Sequence, residues 1–383
     1  MALSTIQTNN KLIVFREEIT REFVRQNMFS PYMGNAMNNI IRVLNDLKSG
    51  GEQVNVPLVN SLRATAIGTG TLTGAEEAID NYGFRMWIDW ARNACKTNRA
   101  EDQKDSADIF DIARPLLTDW GKELIKNEIC DALLSIPLET APANLGSANG
   151  QRVNGVSWQN ATATAGTGQR DVWLTANTDR VLFGATVSNN TGAIIGSLAN
   201  VDNTTDKLTA ASLKLMKRRA MNASPRIRPY QDNDGYDFWI CFVDPNQFRD
   251  LSNDQTVVNA NLYARPRENR YKDNPLFNDG DLLYDGIIVR QVPELRTRRP
   301  TYFGTAGAGG IAVNAAHLCG QSALAQFYGQ LPRPTQLEVT DYGFNRGVGI
   351  EMAYGISKVA KNTSGSLKDW GVFTGFFASV DDT

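Results

Sequence analysis

Residues able to do chemistry are few in this chain. Its 383 residues include a single histidine, His317. A two-histidine metal site is thereby excluded, and any histidine-dependent triad has to use that one imidazole. His317 lies among apolar neighbours in AAHLCG (315–320), the setting of a satisfied core histidine rather than of a general base. Cys319, two residues on, pairs with it only if both side chains point the same way. The four cysteines, Cys95, Cys130, Cys241 and Cys319, are widely spaced and form no CxxC. They read as buried thiols of a reducing compartment, not as a disulfide framework. There is no G-x-x-x-x-G-K-[ST] phosphate loop, no GxGxxG after a strand and no GxSxG elbow. GTGTLTG (68–74) and GTAGAGG (304–310) have the glycine density of phosphate loops. They lack the spacing and the following helix, and read as pliable loops. Carboxylates are plentiful, but no pair stands out. The expectation is a protein that is not an enzyme and holds no cofactor and no metal, with a carboxylate-dependent hydrolase as the enzymatic alternative.

Charge narrows the partners. The net charge is −2, so any contact with nucleic acid has to be local. Lys214, Lys217, Arg218 and Arg219 form one basic patch, which Arg226 and Arg228 extend; a second group lies within 265–299. Such clusters could touch a phosphate backbone without sequence preference. A salt-bridged surface or a subunit interface is the plainer reading. The N-terminus lacks a signal peptide's apolar core, and no apolar run approaches the roughly 18 residues of a membrane helix. A cytoplasmic origin without membrane association is expected. At 42% apolar and 21% charged residues, the composition is that of a folded globular chain.

The longest element expected is a helix over 106–136, about 46 Å at helical rise. Ser106 serves as its N-cap, with Asp108 and Asp111 at the positive end of the dipole. Ile109, Ile112, Ala113, Leu116, Leu117, Trp120 and Leu124 share one arc, and the later apolar residues turn to other faces. Pro115 and Gly121 add strain, since an interior proline costs about 3 kcal/mol. The pattern predicts a kink near Arg114, or a helix that leaves one neighbour and joins another after Leu124. Earlier in the chain, helices are expected over 11–27 and 36–47. Val54, Val56 and Leu58 then alternate as a strand, residues 63–77 form a loop, and 82–91 return as a strand. Pro57 puts the first strand at a sheet edge or outside a sheet. A hairpin this long is marginal alone and has to lie on something else, such as another subunit.

Residues 137–205 are poor in periodicity and read as a surface excursion anchored by Trp158, Trp173 and Leu182-Phe183; residues 181–185 suit a short strand or helix. A helix over 206–221, facing inward through Leu208, Ala211, Leu215 and Met216, precedes a buried strand in 236–245. A helix starts at NQFRDL, and polar loop fills 252–280. Two strand segments follow in 282–295, turning at Asp285-Gly286. Residues 311–329 mix a strand with a short helix, and strand-like segments at 347–358 and 369–380 close the chain. The order is α+β without a βαβ repeat.

Several stretches carry a resemblance. REFVRQNMFSPYMG (21–34), GGEQVNVPLV (50–59), LTGAEEAIDNYGFRMWIDWARNAC (72–95), DWGKEL (119–124), WICFVDPNQFRDL (239–251), NPLFNDGDLLYDGIIVRQVP (274–293), LCGQSALAQFYG (318–329), DYGFNRGVGIEMAYGISKV (341–359) and DWGVFTGFFASVDD (369–382) occur in order. As a set they resemble tailed-bacteriophage major capsid proteins of the Hong Kong 97 fold. Residues 137–205 and 295–310 have no counterpart in it. The likeness implies an N-terminal arm (1–49), an extended β-hairpin loop (50–97) and a peripheral domain with the long spine helix (98–205, completed by return strands in 345–383). It further implies an axial domain (206–344). It implies self-assembly as hexamers and pentamers into an icosahedral head around double-stranded DNA, put together in the host bacterial cytoplasm. Partners would be further copies, a portal, separate scaffolding or decoration proteins and the packaged DNA; the low net charge suits a lining that must not grip DNA. A cellular nanocompartment shell of the same fold is the alternative. Arg63, Thr69, Thr71, Leu72, Glu76 and Glu77 are the candidate inter-subunit contacts.

Overall fold

The computed structural model describes residues 28–45, 51–59, 62, 64–79, 81–102, 109–142, 150–231, 235–264, 277–278, 281–337, 342, 344–363 and 366–382. The expected helix over 11–27 and the cap at Ser106 lie outside them.

Two sheets share one core. The first has five strands in the order Met33–Gly34, Ile41–Leu44, Leu324–Gln336, Asn345–Lys358 and Asp89–Asn98. Its centre is the long antiparallel pair of Leu324–Gln336 with Asn345–Lys358. Ile41–Leu44 runs parallel to Leu324–Phe327, so the helix expected over 36–47 is a strand there. Ile40 and Ile41 are fully buried, and tertiary pairing overrides a weak local helix preference.

The spine helix spans Ile109–Leu133 and runs unbroken through Pro115. It meets two sets of neighbours. Ala113 and Leu117 pack on Val348 and Ile350 of the first sheet. Ile125, Ile129, Cys130 and Leu133 enter the large core between the sheets. Leu116, expected on the buried arc, is 60% exposed. The helix stops short of 136, because Ser135–Pro137 is a strand paired with Gly155–Ser157.

The second sheet runs Phe277–Asn278, Asp281–Tyr284, Ile287–Gln291, Asp237–Val243, Val313–Cys319, Val372–Ala378 and Val181–Phe183, with Tyr230–Gln231 beside Asp237–Phe238. Both faces of its middle are covered. Phe242, Ala315, Cys319 and Phe376 face the core that holds Trp158, Trp173 and Phe303. Trp239, Cys241, Leu318 and Phe377 face the helix Ala210–Asn222 through Leu213, Met216 and Ala220. Cover on both faces explains the unbroken apolar run in 237–243.

Several expectations change here. The helix after Thr209 turns Leu213 and Ala220 inward, while Ala211 is exposed. Residues 255–264, expected as loop, are the helix Gln255–Ala264. The second part of 311–329 is a strand, not a helix. Residues 150–201 are no surface excursion: Trp158, Trp173 and Phe183 are core, and Val181–Phe183 pairs in parallel with Val372–Ala378. The sheets also cross the boundaries inferred from the resemblance. Leu324–Gln336 pairs with Asn345–Lys358, and Val372–Ala378 pairs with Val313–Cys319. The Asp285-Gly286 turn stands as expected, with φ of 51° and 72°, the left-handed pair of a two-residue hairpin turn.

Candidate assembly site

The hairpin of Gln53–Val59 and Asn81–Trp87 pairs from Gln53 opposite Trp87 to Val59 opposite Asn81. Pro57, opposite Gly83, needs no donor because the ribbon has only two strands. Alternation puts Val56, Leu58, Phe84 and Met86 on one face, and they pack on Ala325, Phe327, Val359 and Ala360. The base of the hairpin thus lies on its own chain, where sequence reasoning had allowed for a neighbour. The tip is different. Residues 64–79 form neither helix nor strand and are exposed throughout. Leu62, Leu72 and Ile79 are 62%, 67% and 68% exposed. Side chains of this kind, outward on an extended arm, suit burial against another surface.

The candidate contacts divide into two groups. Thr69, Thr71 and Leu72 are exposed. The Glu76 and Glu77 carboxylates instead shape the arm, accepting from the Gly74 and Ala64 amides at 2.7 Å each. Arg63 lies outside the described residues.

A clamp that sequence reasoning missed sits where the hairpin joins the first sheet. The chain leaves one ribbon at Trp87 and enters the other at Asp89. Gln151 spans this joint: its carbonyl accepts from the Trp87 indole at 2.9 Å and its amide donates to Asp89 Oδ2 at 2.5 Å. Next to it, Arg152 donates to the Trp90 carbonyl at 2.8 Å and, through Nε, to Glu128 Oε1 of the spine helix at 2.8 Å. The Tyr354 hydroxyl donates to the other Glu128 oxygen. Burial pushes the Glu128 carboxyl above the usual carboxylate range, against the opposing pull of Arg152. Burial likewise raises Tyr354, helped by the Glu128 charge. The arm is therefore tied to the spine helix by a buried, charge-assisted network. No spacing rule links residues 87, 128, 152 and 354, so no local signal could have found it.

The basic patch is mostly engaged within the chain. Lys217 donates to the Asp285 carbonyl and stands 3.5 Å from its carboxylate. Arg219 donates to the Val181 and Thr178 carbonyls at 2.7 and 2.6 Å. Lys214 lies over the Tyr284 ring, 5.2 Å from its centroid. Arg218 is exposed and has no partner among the described residues.

His317 is a core residue, but not a satisfied one. Neither ring nitrogen has a hydrogen-bond partner among the described residues. It faces Phe242 and Thr374 across its two neighbouring strands. Burial, and then the Lys358 charge, push its pKa down to about 3. The unfolded chain therefore takes up a proton below about pH 6.5 that the folded chain refuses, and stability falls as pH drops from there towards 3. At pH 4.5 the loss from this one residue is about 2.7 kcal/mol. H317Q should lose stability less steeply between pH 7 and 4.5 than the parent, measured as the shift in urea midpoint; parallel pH profiles would refute this. Burial also raises the thiols of Cys130 and Cys319, and that of Cys241 to about 12, which leaves them unreactive. Among the described residues, no group of three His, Cys, Asp or Glu side chains is placed to hold a metal, and no helix is long and apolar enough to cross a membrane.

An exposed arm whose base is clamped to a spine helix is a geometry for contact between molecules. Comparison with protein families matches residues 6–374 to the phage capsid protein model. The chain belongs to the phage capsid protein family. It is a tailed-phage major capsid protein, a structural component of a virion shell. Among solved structures, the capsid asymmetric unit of cyanophage Pam1 is 31% identical, covers 94% of each chain and superposes with a TM-score of 0.79. The capsid of Ralstonia phage GP4 is 19% identical over 94% of this chain and 93% of the other, with a TM-score of 0.67. The head of Helicobacter pylori bacteriophage KHP40, at 13% identity and 0.59 over 92% and 90%, shares the fold. Comparison with curated proteins gives no match.

Proposed function

We propose that this capsid subunit assembles as hexamers and pentamers into an icosahedral head of the Hong Kong 97 type, enclosing double-stranded DNA. The observation that carries the reading is the exposed arm at 64–79, with Leu62, Leu72 and Ile79 outward and its base clamped to the spine helix. In this reading residues 1–49 are a separate N-terminal arm, and the hairpin with its exposed tip is the extended loop, 50–97. The peripheral domain centres on the spine helix and the five-stranded sheet, and the axial domain on the larger sheet. Assembly takes place in the host bacterial cytoplasm, with a portal and separate scaffolding or decoration proteins as further partners. Each interface is small, and many repeats of it sum to a stable shell. Thr69, Thr71 and Leu72 meet a neighbouring subunit.

Deleting residues 63–77 tests this directly. The variant should stay soluble and folded yet give no closed particles by electron microscopy under conditions where the parent does. Intact shells from the deletion would remove the arm from the assembly contacts.

A further inference from the structure

We infer that Arg218, Arg226 and Arg228 form a ridge that binds the phosphodiester backbone of duplex DNA. The inference rests on the shell reading above, assigns its nucleic-acid contact to particular side chains, and sets a local contact in place of the expectation of a lining that does not grip DNA. Elsewhere Arg249, Arg290, Arg296 and Arg298 each meet a carboxylate. Lys217 and Arg219 meet carbonyls or Asp285, and Lys214 an aromatic ring. Arg218, Arg226 and Arg228 are exposed and have no ion-pair or hydrogen-bond partner for their side chains among the described residues.

Their backbone is held in place. Ile227, between two of them, is 2% exposed, while Arg226 and Arg228 on either side of it are both exposed. The Ile227 amide donates to the Ala220 carbonyl at 3.2 Å, fixing this segment to the end of the helix that carries Arg218. The Arg228 carbonyl accepts from the Gln321 amide at 2.8 Å, and a Cβ on Gly320 would come within 2.2 Å of that oxygen. Arg180 holds the Pro225 carbonyl at 3.0 Å. The nearby Asp179 carboxylate does not neutralise the ridge, because it is taken by Lys368, Arg180 and the Ser224 amide. Unpaired guanidinium groups on a fixed backbone suit phosphate, whose charges recur about every 3.4 Å along each strand.

The test is binding of the full-length subunit to a fluorescent duplex of about 20 base pairs, followed by anisotropy across a salt series. Replacing all three residues (R218Q, R226Q, R228Q) should lower the salt-dependence slope by about 2.7 and weaken binding at least about tenfold near 0.1 M salt. The K214Q, K217Q control should leave the slope unchanged. An unchanged slope in the triple variant, or no salt-dependent binding by the parent, overturns the ridge. Electron microscopy of the same preparations separates the two readings. Closed shells with an unchanged slope overturn the ridge alone; a lost slope in a protein that forms no shells supports the ridge and overturns the shell.

Discussion

Lys358→Met should destabilise the subunit by about 3–5 kcal/mol, because it leaves the Asp369 carboxylate buried without its cation. Lys358 Nζ lies 3.2 Å from Asp369 Oδ2, with the two side chains 1% and 0% exposed. The other carboxylate oxygen accepts from the Trp173 indole at 3.2 Å, and the Asp369 amide donates to Asn177 Oδ1 at 2.8 Å. Arg180, also fully buried, donates to the Asp369 carbonyl. This network joins the end of the first sheet to the segment around Trp173 and the second sheet. The double variant K358M, D369N removes both charges and keeps an acceptor for the Trp173 indole. It should recover most of the loss, since a buried pair contributes little over a neutral, well-packed replacement. Urea unfolding of the three proteins decides it. A K358M loss below 1 kcal/mol, or a double variant no better than the single one, would exclude the network as a stability determinant.

The second large effect is expected at the clamp. Arg152→Ala strips Glu128 of its only ion-pair partner among the described residues and frees the Trp90 carbonyl. The cost should be about 3 kcal/mol or more near neutral pH. Its pH dependence is diagnostic. Burial already raises the Glu128 carboxyl, and loss of Arg152 raises it further. A raised folded pKa gives stability that is present at low pH and fades as pH rises through it. The R152A deficit should therefore be larger at pH 8 than at pH 5, and E128Q, R152A should lose that dependence. Hydrogen exchange supplies the second readout. Amides in 81–98 should exchange faster in R152A, while those of Val313–Cys319 keep their protection. Equal exchange throughout would mean that the clamp does not hold the arm.

The parts that were legible in advance rest on local physics. Alternation of Val54, Val56 and Leu58 marks a strand wherever it is placed. The Asp285-Gly286 pair forces a turn through its positive φ angles, and the glycine- and threonine-rich span after Leu62 cannot form a core. The absence of a second histidine limits the chemistry whatever the fold. The change of apolar face along the spine helix foretold its two sets of neighbours, since a helix must bury whichever face is apolar.

What was not legible depends on partners far along the chain. Ile41–Leu44 is a strand because Leu324–Phe327 offers it a ladder nearly three hundred residues away. The span 150–201 has no period of its own, yet its tryptophans and Val181–Phe183 complete a core assembled from both sheets. The basic patch reads from sequence as a salt-bridged surface or an interface, with phosphate as the sharper option; carbonyls at Thr178, Val181 and Asp285 engage two of its side chains, and only distant folding brings them there. Periodicity and turn chemistry reach a few residues along the chain. The clamp, the buried Lys358–Asp369 pair and the unpaired arginines are set by which segments meet in space, and that meeting is determined by the summed burial of the whole chain.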